Sequence, residues 1–340
     1  MTTHPDLPPL GELLTSLRVV SIPLRVRFRG ITMREVGLVR GPVGWGEFGP
    51  FLEYQPAEAS QWLASAIESA YAGWPTGVRD DVPVNATVPA VGADAVAGVV
   101  ARFDGCTTAK VKVAERGQVL ADDLDRVAAV RDVMGPSARI RIDANGGWSV
   151  DDALHAIGAL AAYGLEYAEQ PCATVEELRE LRVGLARGGV DVPVAADESI
   201  RRASDPLEVA RREAADLVVV KVAPLGGVRA ALAVVEDCGL PAVVSSALDT
   251  SVGMAAGVAL ASALPALPFA CGLGTVALLD GDVARQPLVP LGGVLHRVDA
   301  DRLEVDEDAL ARFAAAPDRV VWWRNRLAAA HAELSGPGIR

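Results

Sequence analysis

The chain has 340 residues, about half of them apolar, and its 32 basic against 44 acidic side chains leave a net charge of −12. That length can bury a large core as one big domain or two of unequal size, and the acidic balance argues against a nucleic-acid-binding surface. No run of about twenty residues is free of charge and proline as a membrane span requires. The start, MTTHPDLPPLGELL, lacks the basic end and apolar stretch of a signal peptide. Cys106, Cys172, Cys238 and Cys271 show no paired spacing, so a reducing cytoplasm is the expected location. His4, His155, His296 and His331 are scattered, and a histidine general base is not expected.

From Leu17 to Val39 the pattern reads as two strands around a turn at Arg29-Gly30. A Gly-, Pro- and aromatic-rich segment, GWGEFGPFLEYQPAEA, follows, and ASQWLASAIESAYAGW has helical apolar spacing. From VPVNATVPA onward the texture becomes a repeat of apolar β-branched strand, turn and Ala/Leu-rich helix. Strand candidates are TAKVKV, RIRIDAN, LEYAEQP, PVAADES, DLVVVKVAP, PAVVSSA and FACGLGT, whose ends recur at intervals of about 24 to 31 residues, the size of one βα unit of a TIM barrel. Helices are expected over Ser149 to Ala162, Val175 to Arg187 and Val228 to Cys238, with Ser149 as an N-cap. An eighth strand is not evident. The tail from Arg302 to His331 reads as a short strand and two helices that pack back on the N-terminal module. A doubly wound open sheet competes, but no Gly-rich dinucleotide fingerprint follows a first strand. The expected fold is therefore α/β, a modified TIM barrel (96–290) with an α+β capping domain (1–95) joined by the C-terminal segment (291–340).

In TAKVKVAE, Lys110 and Lys112 alternate with apolar residues, so both ammonium groups lie on one face roughly 6 to 7 Å apart. Two like charges at that distance repel by about 2 to 3 kcal/mol at an effective dielectric near 20, which lowers the proton affinity of at least one. The alternative is an edge strand with its lysines in water. Three successive strands end in carboxylates: Asp143 in IDAN, Glu169 in AEQP and Asp197 in ADES. Each alone reads as a turn or N-cap residue, but three in register repel unless a cation joins them. An all-oxygen cluster suits a hard ion such as Mg²⁺, with Mn²⁺ also compatible. Asn145 and Glu198 would orient those ligands, or serve as ordinary caps. Lys221 ends the next strand, an isolated charge in an apolar run, either snorkelling at the rim or facing the site. Lysines on two sides of a dication suit proton abstraction beside a carboxylate, so a small-molecule carboxylate is the expected substrate.

In these residues the chain resembles the enolase superfamily, in which a Lys or His base works with Mg²⁺. KVK, then Asp143, Glu169 and Asp197, then Lys221 resemble the branch with lysines on both sides of the substrate, and the likeness spans nearly the whole chain. It implies that loops around FRGIT and GEFGPFLEY close over the barrel mouth. RFRGITMRE, GWGEFGPFLEY and SSALDTSVG resemble members that dehydrate 2-succinyl-6-hydroxy-2,4-cyclohexadiene-1-carboxylate to o-succinylbenzoate in menaquinone biosynthesis. Under that resemblance Asp143, Glu169 and Asp197 bind the metal. Lys112 is the acid-base group, Lys221 stabilises the enediolate, and Lys110 holds the substrate carboxylate or tunes its neighbour. Ser245, Ser246, Gly272 and Gly274 would meet the succinyl side, or serve only backbone packing. Phe48, Phe51 and Tyr54 would form a lid, or pack between domains. Gln170 and Asp249 stand where several relatives have Glu. An N-acylamino acid racemase or dipeptide epimerase is the alternative, and a silent barrel acting as a binding protein the third. The oligomeric state is not legible in the sequence.

Overall fold

The computed structural model describes residues 7–201 and 205–336; His4 lies outside them. The N-terminal module is a three-stranded antiparallel sheet, β1 (Arg18–Phe28), β2 (Ile31–Arg40) and β3 (Trp45–Phe48). Arg29 and Gly30 both take positive φ, +48° and +80°, the two-residue turn whose twist matches paired strands, with Phe28 opposite Ile31. The sheet is followed by a helix over Pro56–Ile67, opened by proline at its first turn, where no intrahelical donor is lost. Its buried face, Trp62, Leu63 and Ala66, meets Trp323, Leu327 and Ala330 of the last helix, Pro317–Ser335, in a core of its own.

The barrel sheet is parallel. After a short β4 (Asp81–Pro83) come β5 (Ala86–Val88), β6 (Thr108–Lys112), β7 (Arg139–Asp143), β8 (Leu165–Glu169), β9 (Val194–Ala196), β10 (Leu217–Val220) and β11 (Ala242–Val244). Strands β5 to β11 pair in sequence order. Helices alternate with them, including Val150–Leu160 capped by the Ser149 hydroxyl, Val175–Arg187 and Val228–Cys238. The segment Ala270–Gly272 closes the ring. Gly272 bridges Ser245 beyond β11, and Cys271 bridges Val84 ahead of β5, both in parallel. β5 is the strand not evident in the sequence: it has three residues, and Pro83 and Pro89 flank it closely, which removes the long apolar run by which the others are recognised. The barrel sheet therefore begins ahead of residue 96, the expected domain boundary, and within the VPVNATVPA stretch where the texture changes.

The C-terminal part also divides differently from expectation. β12 (Val294–His296) pairs antiparallel with β4, and Leu295 and Ala300 belong to the barrel core. The chain already touches the N-terminal sheet at Leu279 and Val283, and after β12 it joins that module through Leu310 and Phe313 against Val20 and Ile22 and then through the last helix. The expected strand after Arg302 is reduced to a single bridge between Val305 and Ala284, followed by helices over Glu307–Arg312 and Pro317–Ser335. Among the described residues no helix is long and apolar enough to cross a membrane.

Candidate active site

β6 lies between β5 and β7, so the edge-strand reading of its lysines fails: Lys110 and Lys112 are each only 6% exposed. Parallel register sets Lys112 beside Asp143 and Asp143 beside Glu169 across three neighbouring strands, all at their C-terminal ends. Asp197 and Lys221 each stand one residue past β9 and β10. The side chains converge as an alternating array of charges. Lys112 Nζ donates to Asp143 Oδ2 at 2.5 Å and to Asn145 Oδ1 at 2.9 Å. Lys110 Nζ donates to Glu169 Oε1 at 2.9 Å and lies 3.2 Å from Asp143 Oδ2. Lys221 donates to Asp197, which also accepts from Arg201 Nε at 3.1 Å.

The proton affinities of the array diverge. Burial favours loss of the proton from both lysines of β6, but Glu169 and then Asp143 attract the Lys110 charge strongly enough to raise its pKa. For Lys112, burial wins over the attraction of Asp143, and repulsion from Lys110 adds to it, so its pKa falls. Burial and the neighbouring Asp143 carboxylate push Glu169 up to about 7 despite Lys110. Burial opposes ionisation of Asp143 and Asp197, yet Lys112 and Lys110 hold the first well below the usual carboxylate range, and Lys221 and Arg201 bring the second to about 2.

A cleft of about 250 Å³ opens above these groups. Lys110, Lys112, Lys221, Asn145, Glu198, Ser245, Ser246 and Gly272 all border it. So do Phe51 and Tyr54 from the loop after β3, and Phe28, Arg29 and Ile31 from the tip of the first hairpin. Five expected members do not: Asp143, Glu169 and Asp197, covered by the lysines that bind them, and Phe48 and Gly274. Phe48 is fully buried in the cap core, its ring edge-on to Trp323 at 5.8 Å, because alternation along β3 turns it away from the mouth. Gly274 packs instead where an added Cβ would meet the Phe103 ring at 2.9 Å. Thr87 of β5, Leu248 and Arg201 border the cleft and were not singled out from the sequence. Arg201 was accessible to helical spacing, four residues after Asp197; Thr87 was hidden with its strand.

Asn145 and Glu198 meet each other, Asn145 Nδ2 donating to Glu198 Oε1 at 3.3 Å. Gln170 uses both ends of its amide: Nε2 donates to Cys172 O and Ser199 Oγ, while Oε1 accepts from the Asp197 amide at 2.9 Å. A carboxylate there could not donate.

Among the described residues no group of three acidic, histidine or cysteine side chains is gathered around one point, since the oxygens of Asp143, Glu169 and Asp197 are turned onto the lysines. Their chemistry nevertheless fits a hard dication: three wholly buried carboxylates at successive strand ends, with the Glu169 pKa raised by burial and then by Asp143, form the donor set that such an ion stabilises.

Comparison with known proteins identifies the family. Residues 93–302 match the model described as Enolase C-terminal domain-like, and residues 19–70 the one described as Enolase N-terminal domain-like. The chain belongs to the enolase superfamily, whose enzymes generally use a divalent metal. Among curated relatives, the o-succinylbenzoate synthase of Thermobifida fusca is 60% identical over 93% of this chain and 96% of its own length. That of Mycobacterium tuberculosis is 56% identical over 97% of this chain and 98% of its own. The solved muconate lactonizing enzyme of Pseudomonas fluorescens shares the fold, with a TM-score of 0.73 at 24% identity over 88% of this chain and 98% of that one. A dipeptide epimerase of Enterococcus faecalis does so with a TM-score of 0.67 at 22% identity over 82% of this chain and 95% of that one.

Proposed function

We propose that this chain is a hydro-lyase that converts 2-succinyl-6-hydroxy-2,4-cyclohexadiene-1-carboxylate into o-succinylbenzoate and water, a step of menaquinone biosynthesis. The observation that carries the reading is the 60% identity, over nearly the full length of both chains, to a curated o-succinylbenzoate synthase. Asp143, Glu169 and Asp197 would hold the divalent ion, for which Mg²⁺ is the first choice and Mn²⁺ the second. When bound, that ion supplies positive charge that polarises the substrate carboxylate and makes the adjacent C–H more acidic.

Lys112 has the position and the lowered proton affinity of the general base. Its Nζ accepts the α-proton and the C–H electron pair moves toward the carboxylate. The same ammonium then returns a proton to the departing hydroxyl, so the C–O bond breaks, water leaves and the ring becomes aromatic. Lys110, held protonated by Glu169 and Asp143, supplies fixed charge beside the base. Lys221 faces from the far side of the carboxylate row and stabilises the negative charge that develops between the two steps. Phe51 and Tyr54 exclude water over the apolar ring.

The test is turnover of the cyclohexadiene carboxylate against racemisation of N-succinyl amino acids by one preparation of the enzyme. Dehydration should have the larger kcat/KM. Racemisation without dehydration would replace this reading with that of an N-acylamino acid racemase.

A further inference from the structure

Two separate stretches of chain form the apolar side of the cleft: the loop after β3, with Phe51 and Tyr54, and the turn after β11, with Ala247 and Leu248. One side chain joins them. Arg34 of β2 is 4% exposed, and its Nε donates to Leu248 O at 3.0 Å while its Nη2 donates to Gly49 O at 2.5 Å. Its guanidinium also lies 5.0 Å from the centre of the Phe51 ring. Arg34 itself does not border the cleft.

The turn that Arg34 grips is conformationally costly. Leu248 takes φ +62°, a left-handed conformation that a branched side chain adopts only when its surroundings enforce it, at a cost of order 1 to 3 kcal/mol. Its neighbours are tied down too. Asp249 accepts from the Ala247 amide at 3.0 Å, and Glu47 at the end of β3 accepts from the Thr250 and Gly253 amides, each at 3.1 Å. The strained residue is thus clamped from the capping module, and its side chain forms part of the wall.

We propose that Arg34 is a positioning residue that locks the Gly49–Tyr54 loop and the Ala247–Leu248 turn into a single wall and so sets selectivity for the flat ring of the substrate. A planar fork is needed because two carbonyls on different segments must be reached at once, and lysine has one donor site where arginine has several. Loosening the wall costs substrate binding and alignment. The hydrogen bonds of Arg34 go to Leu248 and Gly49 and not to the lysines, so the acid-base groups remain in place.

The inference rests on the proposed dehydration, and the experiment separates the two. Wild type, Arg34→Lys and Leu248→Gly are compared for kcat and KM in dehydration and for racemisation of an N-succinyl amino acid, with thermal midpoints and folded fractions measured alongside. Wild type without dehydration overturns the functional reading itself. With an active wild type, Arg34→Lys should raise KM about tenfold and lower kcat less than about threefold. The ratio of dehydration to racemisation should fall about tenfold, because the wall discriminates between the substrates. Leu248→Gly, which accepts the positive φ but no longer needs to be held there, should show the same split, and the double variant should add little to either single one. Losses that scale only with folded fraction, an unchanged selectivity ratio, or fully additive effects would overturn the proposal. If Arg34→Lys does not fold, an unchanged KM in Leu248→Gly overturns it alone.

Discussion

Lys110 and Lys112 share one face of β6, yet the first donates to Glu169 at 2.9 Å and the second to Asp143 at 2.5 Å, and their proton affinities move in opposite directions. Two carboxylates attract the Lys110 charge, whereas burial and the fixed ammonium of Lys110 outweigh Asp143 at Lys112. A like-charge pair has thereby been sorted into a permanent cation and a titratable neighbour.

That asymmetry assigns the chemistry. Arginine keeps the charge but stays protonated near neutral pH, so Lys112→Arg should lose dehydration by about 10³-fold or more. Lys221→Arg should keep measurable dehydration but lose racemisation, which needs proton exchange on both faces. Steady-state kinetics on both substrates checks this, with metal binding and folding measured because the larger fork also changes the site. Substantial dehydration by Lys112→Arg would transfer the base role to Lys221.

Removal of the metal should abolish activity and leave the fold. The three ammonium groups already balance Asp143, Glu169 and Asp197, so the barrel does not require a further cation to bury them. Chelated enzyme should keep its far-UV circular dichroism and regain turnover on addition of Mg²⁺. Glu169→Gln should weaken Mg²⁺ binding by at least the roughly 10-fold that loss of an outer partner costs. Calorimetric titration measures this, and unchanged affinity would remove Glu169 from the ligand set.

The charged residues at the strand ends were legible from the sequence because a Lys, Asp or Glu there interrupts a short, largely apolar strand. Asp143, Glu169 and Lys221 could each be found in this way, and register then places Asp143 beside Lys112 and Glu169 beside Asp143. The cap was harder to read. Phe48 and Phe51 stand three residues apart in one aromatic-rich segment, but β3 ends between them, so one ring enters the cap core and the other the cleft. Nothing in composition marks that end. Arg34 was equally silent, since an arginine on a hairpin strand reads as surface until its partners at Gly49 and Leu248 are known.

The Phe51 ring stands edge-on to both Tyr54 and Trp62, with centroids 5.8 Å away in each case, which anchors the loop on the helix beneath it. Phe51→Ala should raise KM for the cyclohexadiene carboxylate more than it lowers kcat, by removing apolar contact and admitting water to the cleft. Kinetics corrected for folded fraction would show it. Unaltered constants would remove the ring from the lid.

The last helix should be required for the cap and not only for the chain end. Trp323 is fully buried, packs against Phe48 and donates from Nε1 to Glu35 at 3.0 Å. Trp323→Ala should cost about 3 to 5 kcal/mol by leaving a cavity in the cap core, while Glu35 keeps its bonds from Arg319. Denaturant unfolding would measure it, and a cost below about 1 kcal/mol would show that the helix contributes little to the module.

Glu47 gives a dependence on pH that is separate from the acid-base groups. Its carboxylate is buried between the cap and the helix Ser251–Ala263, where it takes the Thr250 hydroxyl as well as the Thr250 and Gly253 amides. Burial and then the facing Asp249 raise its pKa from 4.5 to about 8, outweighing the attraction of Arg34 and the donors around it. The folded protein therefore binds this proton more tightly than the unfolded chain does. The resulting stability is fully present below pH 4.5 and is lost as the pH rises through about 8. Across that window the thermal midpoint should fall by at least about 2 °C on account of Glu47. Glu47→Gln removes the titration while keeping the side chain's size, so its midpoint should vary less between pH 5 and pH 9 than that of the wild type. Parallel curves for the two proteins would show that Glu47 remains ionised in its buried site.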